Sequence, residues 1–182
     1  GVGKSFLLST AAKSALDNGF FVMMLDTENA LDQSYLERIG IDANHDNFVY
    51  YGITTVNDVV KIISTFVKEY KEAYKEDLVN GPKVLIIIDS LSYLTTDSEL
   101  DNFMSGEIKG DQGQIAKQTG SMLKGIQHAI KALNITLINT SHVYENPQII
   151  NGKGKFLLGD KIKYPQTFIA LLEKRPLKEG VA

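Results

Sequence analysis

The chain has 182 residues, 43% of them hydrophobic and 23% charged, ordinary proportions for one globular domain with a real core. Its net charge of −3 excludes a global basic field, so any grip on nucleic acid must come from a local patch. With no cysteine it has neither disulfides nor thiolate metal sites, and no apolar run approaches the ~20 residues of a membrane-spanning helix.

In chain order, residues 6–16 carry apolar side chains at helical spacing and stop at Asn18-Gly19. "FFVMMLD" (20–26) is a short apolar run ending in an acid, the pattern of a buried parallel strand. Residues 34–39 predict a short helix and 47–51 a short strand. Val56, Val59, Val60, Ile63, Phe66, Val67, Tyr70 and Tyr74 fall at helical period beneath a lysine- and glutamate-rich outer face. After the turn at Asn80-Gly81-Pro82, "KVLIIID" (83–89) is a second buried strand. A loose stretch over 95–113 leads to a long helix over 115–133 and a strand over 135–141. A second long connection over 146–159 precedes a further strand at "TFIALLEK" (167–174). Strands alternating with helices imply an α/β fold, a mostly parallel sheet with helices on both faces. In such sheets ligands bind beyond the carboxyl ends of the strands.

The chemistry-bearing residues stand at those ends. "GVGKS" supplies the last places of the phosphate-loop pattern G-x-x-x-x-G-K-[ST]. Gly1, Val2, Gly3, Lys4, Ser5 and Phe6 are the expected phosphate cradle. Gly3 lets the backbone approach a phosphate, and the following helix aims free N–H groups and partial positive charge at the anion. Lys4 would bridge the outer phosphates and Ser5 would hold Mg²⁺. The motif's first glycine and the strand before it are expected upstream of Gly1, which reads the chain as an ATPase core cut inside the loop and incomplete at its other end. Without that strand its neighbours would be exposed and the isolated chain poorly stable.

Asp89 fits a Walker B acid, binding Mg²⁺ through water or supporting Ser5; the plain alternative is an acid capping the next turn. Many P-loop ATPases place a glutamate directly after this acid, but here the next residue is Ser90. The general base must come from elsewhere, and Glu28, just past the first strand in "LDTEN", is assigned to polarise the attacking water. The bland reading of Glu28 is an exposed loop acid.

"LDTENALDQSYLERIGID" (25–42), "IIIDSLSYLT" (86–95), "HVYE" (142–145) and "KRPLKEG" (174–180) together resemble RecA-family recombinases, in order and spacing, over nearly the whole chain. The last two look most like the phage, UvsX-type branch. The resemblance implies a RecA-like P-loop NTPase core using ATP and Mg²⁺. It implies Glu28 and Lys4 as catalytic residues, Tyr35 stacking on adenine beside Asp32, and His142 sensing the γ-phosphate. It also implies two DNA-facing loops, near 105–113 and 146–159. The basic and aromatic residues expected there are Lys109, Lys153, Lys155, Phe156 and, in the flank, Lys161, with Lys163 reaching a neighbouring subunit. On composition alone those lysines read equally as a solvated surface run.

The implied activity is a DNA-dependent ATPase of recombination and repair. It would form a helical homo-oligomeric filament on single-stranded DNA in the cytoplasm, an infected host's if phage-encoded, with single-strand-binding and loading proteins as partners and no membrane. A hexameric helicase-type motor and a non-hydrolysing DNA-binding regulator stay open. A small-molecule kinase would need an arginine-rich lid, and Arg38 and Arg175 are the only arginines. Pro165 interrupts the approach to the last strand, restricting Tyr164 and removing one donor.

Overall fold

The computed structural model describes residues 2–29, 31–109, 113–145, 155–156 and 160–173. Its centre is a four-stranded, all-parallel sheet in the order β2-β1-β3-β4, formed by β1 (Phe21–Asp26), β2 (Phe48–Gly52), β3 (Val84–Asp89) and β4 (Ile135–Asn139). All of β3, and all but the first residue of β1, are buried, because helices cover both faces.

The pleat divides the central strands between two cores. Val22, Met24, Leu85 and Ile87 face one side, where Leu8, Ala12 and Leu16 of α1 (Lys4–Asp17) and Leu36 of α2 (Gln33–Ile39) cover them. Met23, Leu25, Ile86 and Ile88 face the other, against Val59, Ile63 and Val67 of α3 (Val56–Ala73) and Met122, Leu123 and Ile126 of α5 (Gln114–Ile130). α3 starts where it does because Thr55 and Asp58 form a capping box, each side chain accepting from the other's backbone N–H.

Three expectations are corrected. The loose stretch over 95–113 contains a helix, α4 (Asp97–Met104), opened by a second capping box between Thr96 and Glu99. The segment ahead of Pro165 turns through a short helix, α6 (Asp160–Lys163), which rests on α5 where Gly120 has no side chain. A Cβ there would come within 2.9 Å of the Lys161 Cβ. Residues 167–173 form no strand, although their pattern predicts one. They have no strand partner among the described residues, where β4 pairs only with β3, and a cavity of 1480 Å³ is lined by both β4 and this segment. Phe168, Ile169 and Leu171 are accordingly exposed. The second long connection is bracketed by an antiparallel ladder of β5 (Tyr144–Glu145) and β6 (Lys155–Phe156); residues 146–154 and 157–159 lie outside the described residues.

Ile87 is fully buried at the centre of the first core. Ile87→Ala is expected to cost about 2–5 kcal/mol of folding stability. Urea unfolding measures it, and a loss below 1 kcal/mol would contradict this packing.

Candidate active site

Asp26 and Asp89 end neighbouring parallel strands and stand in register with each other. The sequence marks both as strand-end acids, but their surroundings give them different work. Asp26 is buried, and its carboxylate accepts from three donors: the Glu28 N–H at 2.9 Å, the Leu31 N–H at 3.1 Å and the Tyr50 hydroxyl at 2.7 Å. It therefore fixes the loop that carries Glu28. That role was missed in the sequence, where the available signals were an acid closing an apolar run and a tyrosine on the next strand. Burial, with the Asp26 carboxylate second, pushes the Tyr50 hydroxyl well above the ordinary tyrosine range.

A second clasp joins the two strand ends. Thr27 donates its N–H to the Asp89 carbonyl at 2.8 Å. The Thr27 hydroxyl donates to the Ser90 carbonyl at 2.7 Å and accepts from the Ser90 N–H at 2.8 Å. Glu28 is half-buried beyond this clasp, and the Ser90 hydroxyl donates to its Oε1 at 3.1 Å. Asp89 is buried and takes a hydrogen bond on Oδ1 from Thr140, the residue directly after β4, at 2.5 Å. The ends of β1, β3 and β4 are thus linked in one row of hydroxyls and carboxylates.

Two phosphate-loop residues share a cavity with the residues that follow β4. Gly3 is the N-cap of α1 at φ 86°, a left-handed conformation suited to glycine, and no side chain caps the helix. The first-turn N–H groups of Lys4, Ser5 and Phe6 lack helical acceptors by geometry alone. Val2 and Lys4 line the 1480 Å³ cavity together with Thr140, Ser141 and His142. Thr140 is also the Asp89 donor, although Asp89, Glu28 and Ser5 are not among the residues lining that cavity. His142 donates its backbone N–H to Ser92 at 2.7 Å, and its ring meets the Tyr93 ring edge-on at 5.6 Å. Gly1 lies outside the described residues.

Ser5 and Asp89 offer hard oxygen donors, which suit Mg²⁺. Among the described residues no hydrogen bond reaches Asp89 Oδ2, and no group of three acidic or histidine side chains could hold a metal alone. The side chains therefore fit an ion shared with a phosphate better than a protein-only cage.

The remaining predicted residues sit apart from this row. Asp32 caps α2, accepting from the Tyr35 N–H at 2.7 Å and the Ser34 hydroxyl at 2.9 Å. These bonds, the Tyr35 N–H first, hold its carboxyl below the usual range. Tyr35 is half-buried against the α1-side core. Lys109 pairs with Glu107, which offsets the first loop's one cation. Lys155 and Phe156 form β6, flanking the second long connection, and Lys153 lies outside the described residues. Lys161 is exposed on α6, while Lys163 is half-buried and borders the large cavity.

Because the folded state raises the Tyr50 pKa, its stabilising effect is complete below the unfolded value of about 10 and is lost as pH rises beyond it. Tyr50→Phe should therefore be less stable than the parent at pH 8, with the gap narrowing above pH ~10. Urea midpoints of both proteins across that range measure it; a constant or widening gap would contradict the Tyr50–Asp26 bond.

No protein-family model matches the chain. Among curated proteins it is similar to Protein RecA of Wolinella succinogenes, 27% identical over 98% of this chain and 47% of that protein. Protein RecA of Helicobacter hepaticus is 26% identical, covering 98% and 49%, and Protein RecA of Acholeplasma laidlawii 27% identical, covering 82% and 40%. The chain spans about half the length of the curated relatives it matches. The likeness to proteins named RecA thus runs over most of this chain, and the chain carries a parallel α/β sheet.

Proposed function

We propose that this chain is the ATPase core of a homologous-recombination and repair protein, closest in type to the phage UvsX recombinases. The observation that carries the reading is the row at the carboxyl edge. Glu28 is held beside the Asp89–Ser90 strand end, and Lys4 and His142 line one cavity with Thr140, the Asp89 donor. Similarity to proteins named RecA over most of the chain favours this chemistry over the helicase-type and regulatory alternatives.

In this reading ATP lies across the first turn of α1. The N–H groups of Gly3 to Phe6 and the Lys4 ammonium face its phosphates. Tyr35 and Asp32 face the adenine. Ser5 and Asp89 hold Mg²⁺, which when bound neutralises developing phosphate charge. Glu28 accepts a proton from water as that water's oxygen bonds to the γ-phosphorus and the bond to the β–γ bridging oxygen breaks. His142 contacts the γ-phosphate and leads directly into β5 and the second long connection, so nucleotide state reaches the segment proposed to grip single-stranded DNA. Lys109, Lys153, Lys155, Phe156 and Lys161 supply that grip, and Lys163 reaches the next subunit of a helical filament. Single-strand-binding and loading proteins and a cytoplasmic setting complete the proposal, and no described helix is long and apolar enough to cross a membrane.

The cavity beside β4 fits the same reading. The phosphate-loop motif places a strand before Gly3, and a parallel strand between β4 and residues 167–173 would pair the β4 edge that has no partner among the described residues and cover the exposed Leu7. Genomic sequence upstream of Gly1 would then encode an apolar strand ending in the loop's first glycine; a polar, proline-rich stretch there would remove this part of the proposal.

The full-length protein should hydrolyse ATP faster with single-stranded DNA than without. Glu28→Gln should lower turnover by about 10²–10⁴-fold while nucleotide binding persists. Phosphate release and nucleotide-binding assays measure both, and an unchanged Glu28→Gln rate would contradict the base assignment.

A further inference from the structure

Glu28 is the assigned base, but nothing in its own strand aims its carboxylate. The backbone is fixed from one side, where Asp26 accepts the Glu28 N–H at 2.9 Å. The side chain is addressed from the other strand. Ser90, fully buried, donates its hydroxyl to Glu28 Oε1 at 3.1 Å. That is the only hydrogen bond reaching the Glu28 carboxylate, and no lysine or arginine pairs with it, among the described residues. A hydroxyl partner has a particular consequence. It fixes the rotamer through one oxygen without bringing a competing positive charge, and leaves Oε2 to accept from water.

Ser90 is itself rigidly placed. Its N–H and carbonyl are both clasped by the Thr27 hydroxyl, at 2.8 and 2.7 Å. Thr27 immediately precedes Glu28, so the clasp ties the backbone of the donor to the backbone of the acceptor. The clasp uses only the main chain of Ser90, so removing the hydroxyl leaves it whole. Ser90 also holds the position after the Asp89 strand end, where many P-loop ATPases carry their own glutamate.

We propose that Ser90 is a positioning residue for Glu28: its hydroxyl, anchored by the Thr27 clasp, orients the carboxylate toward the attacking water. This rests on the reading of Glu28 as general base. Ser90 touches neither water nor phosphate in this scheme and acts only through Glu28.

The test is a double-mutant cycle on the full-length protein, read by steady-state and single-turnover ATP hydrolysis. Ser90→Ala should lower kcat about 10- to 100-fold, the scale of a misoriented catalytic group, with KM, nucleotide-analogue affinity and the urea midpoint essentially unchanged. Ser90→Cys, which keeps a weak donor of similar size, should fall between the parent and Ser90→Ala. In a Glu28→Ala background, Ser90→Ala should change the residual single-turnover rate less than twofold, because its partner is gone. A full-sized loss in that background, or a neutral Ser90→Ala beside a severe Glu28→Ala, would overturn the positioning role alone. Loss of analogue affinity or of folding in Ser90→Ala equal to the loss of rate would also overturn it. A Glu28→Ala protein with parental turnover would overturn the base reading and this inference with it.

Discussion

The pairing of β1 with β3 in parallel register is the constraint on which the rest depends. It sets Asp26 opposite Asp89, so the residues just beyond them, Thr27 and Glu28 on one side and Ser90 on the other, must meet. A slip of one residue would turn Asp26 out of its three-donor pocket and point an aliphatic side chain at the edge instead. Strong burial on both faces makes such a slip costly. Val22 and Met24 fill one core and Met23 and Leu25 the other, so neither set can change sides without losing its packing. The apolar interior thus fixes the geometry of a polar edge at which few groups could hold themselves in place.

That edge separates three tasks among residues of similar chemistry. Asp26 is buried and saturated with donors, and its work is structural. Asp89 is held on one oxygen by Thr140, and its other oxygen suits an ion shared with phosphate. Glu28 is half-buried, and its carboxylate has a single neutral donor among the described residues. Neighbouring carboxylates with unequal surroundings are a recurrent way to divide roles at one site. The uncapped first turn of α1 offers N–H donors and the Lys4 charge, the groups that an anion needs.

Much of this was legible in the sequence because it depends on local pattern. The apolar runs ending in Asp26 and Asp89 read as buried parallel strands, and the helical period from Val56 reads directly as α3. Glu28 and Asp89 stand out as candidates because ligands gather beyond strand ends. The parts that were missed need information from far along the chain. The Ser90–Glu28 bond joins positions 62 residues apart, and no local signal announces it. Residues 167–173 have the apolar run of a buried strand, but a strand exists only with a neighbour, and these residues have none among those described. The helix α4 was overlooked for a different reason: it is short and polar, although Thr96 and Glu99 carry a readable capping box.

The most direct measurement is a crystal or cryo-electron microscopy structure of the full-length protein with Mg²⁺ and a non-hydrolysable ATP analogue. The account predicts a triphosphate against the first turn of α1. Lys4 should lie on its outer phosphates, Ser5 and Asp89 on the metal, and the Glu28 carboxylate should face the γ-phosphate from the Ser90 side. A nucleotide bound elsewhere, or one bound at α1 with Glu28 turned away from its γ-phosphate, would contradict it.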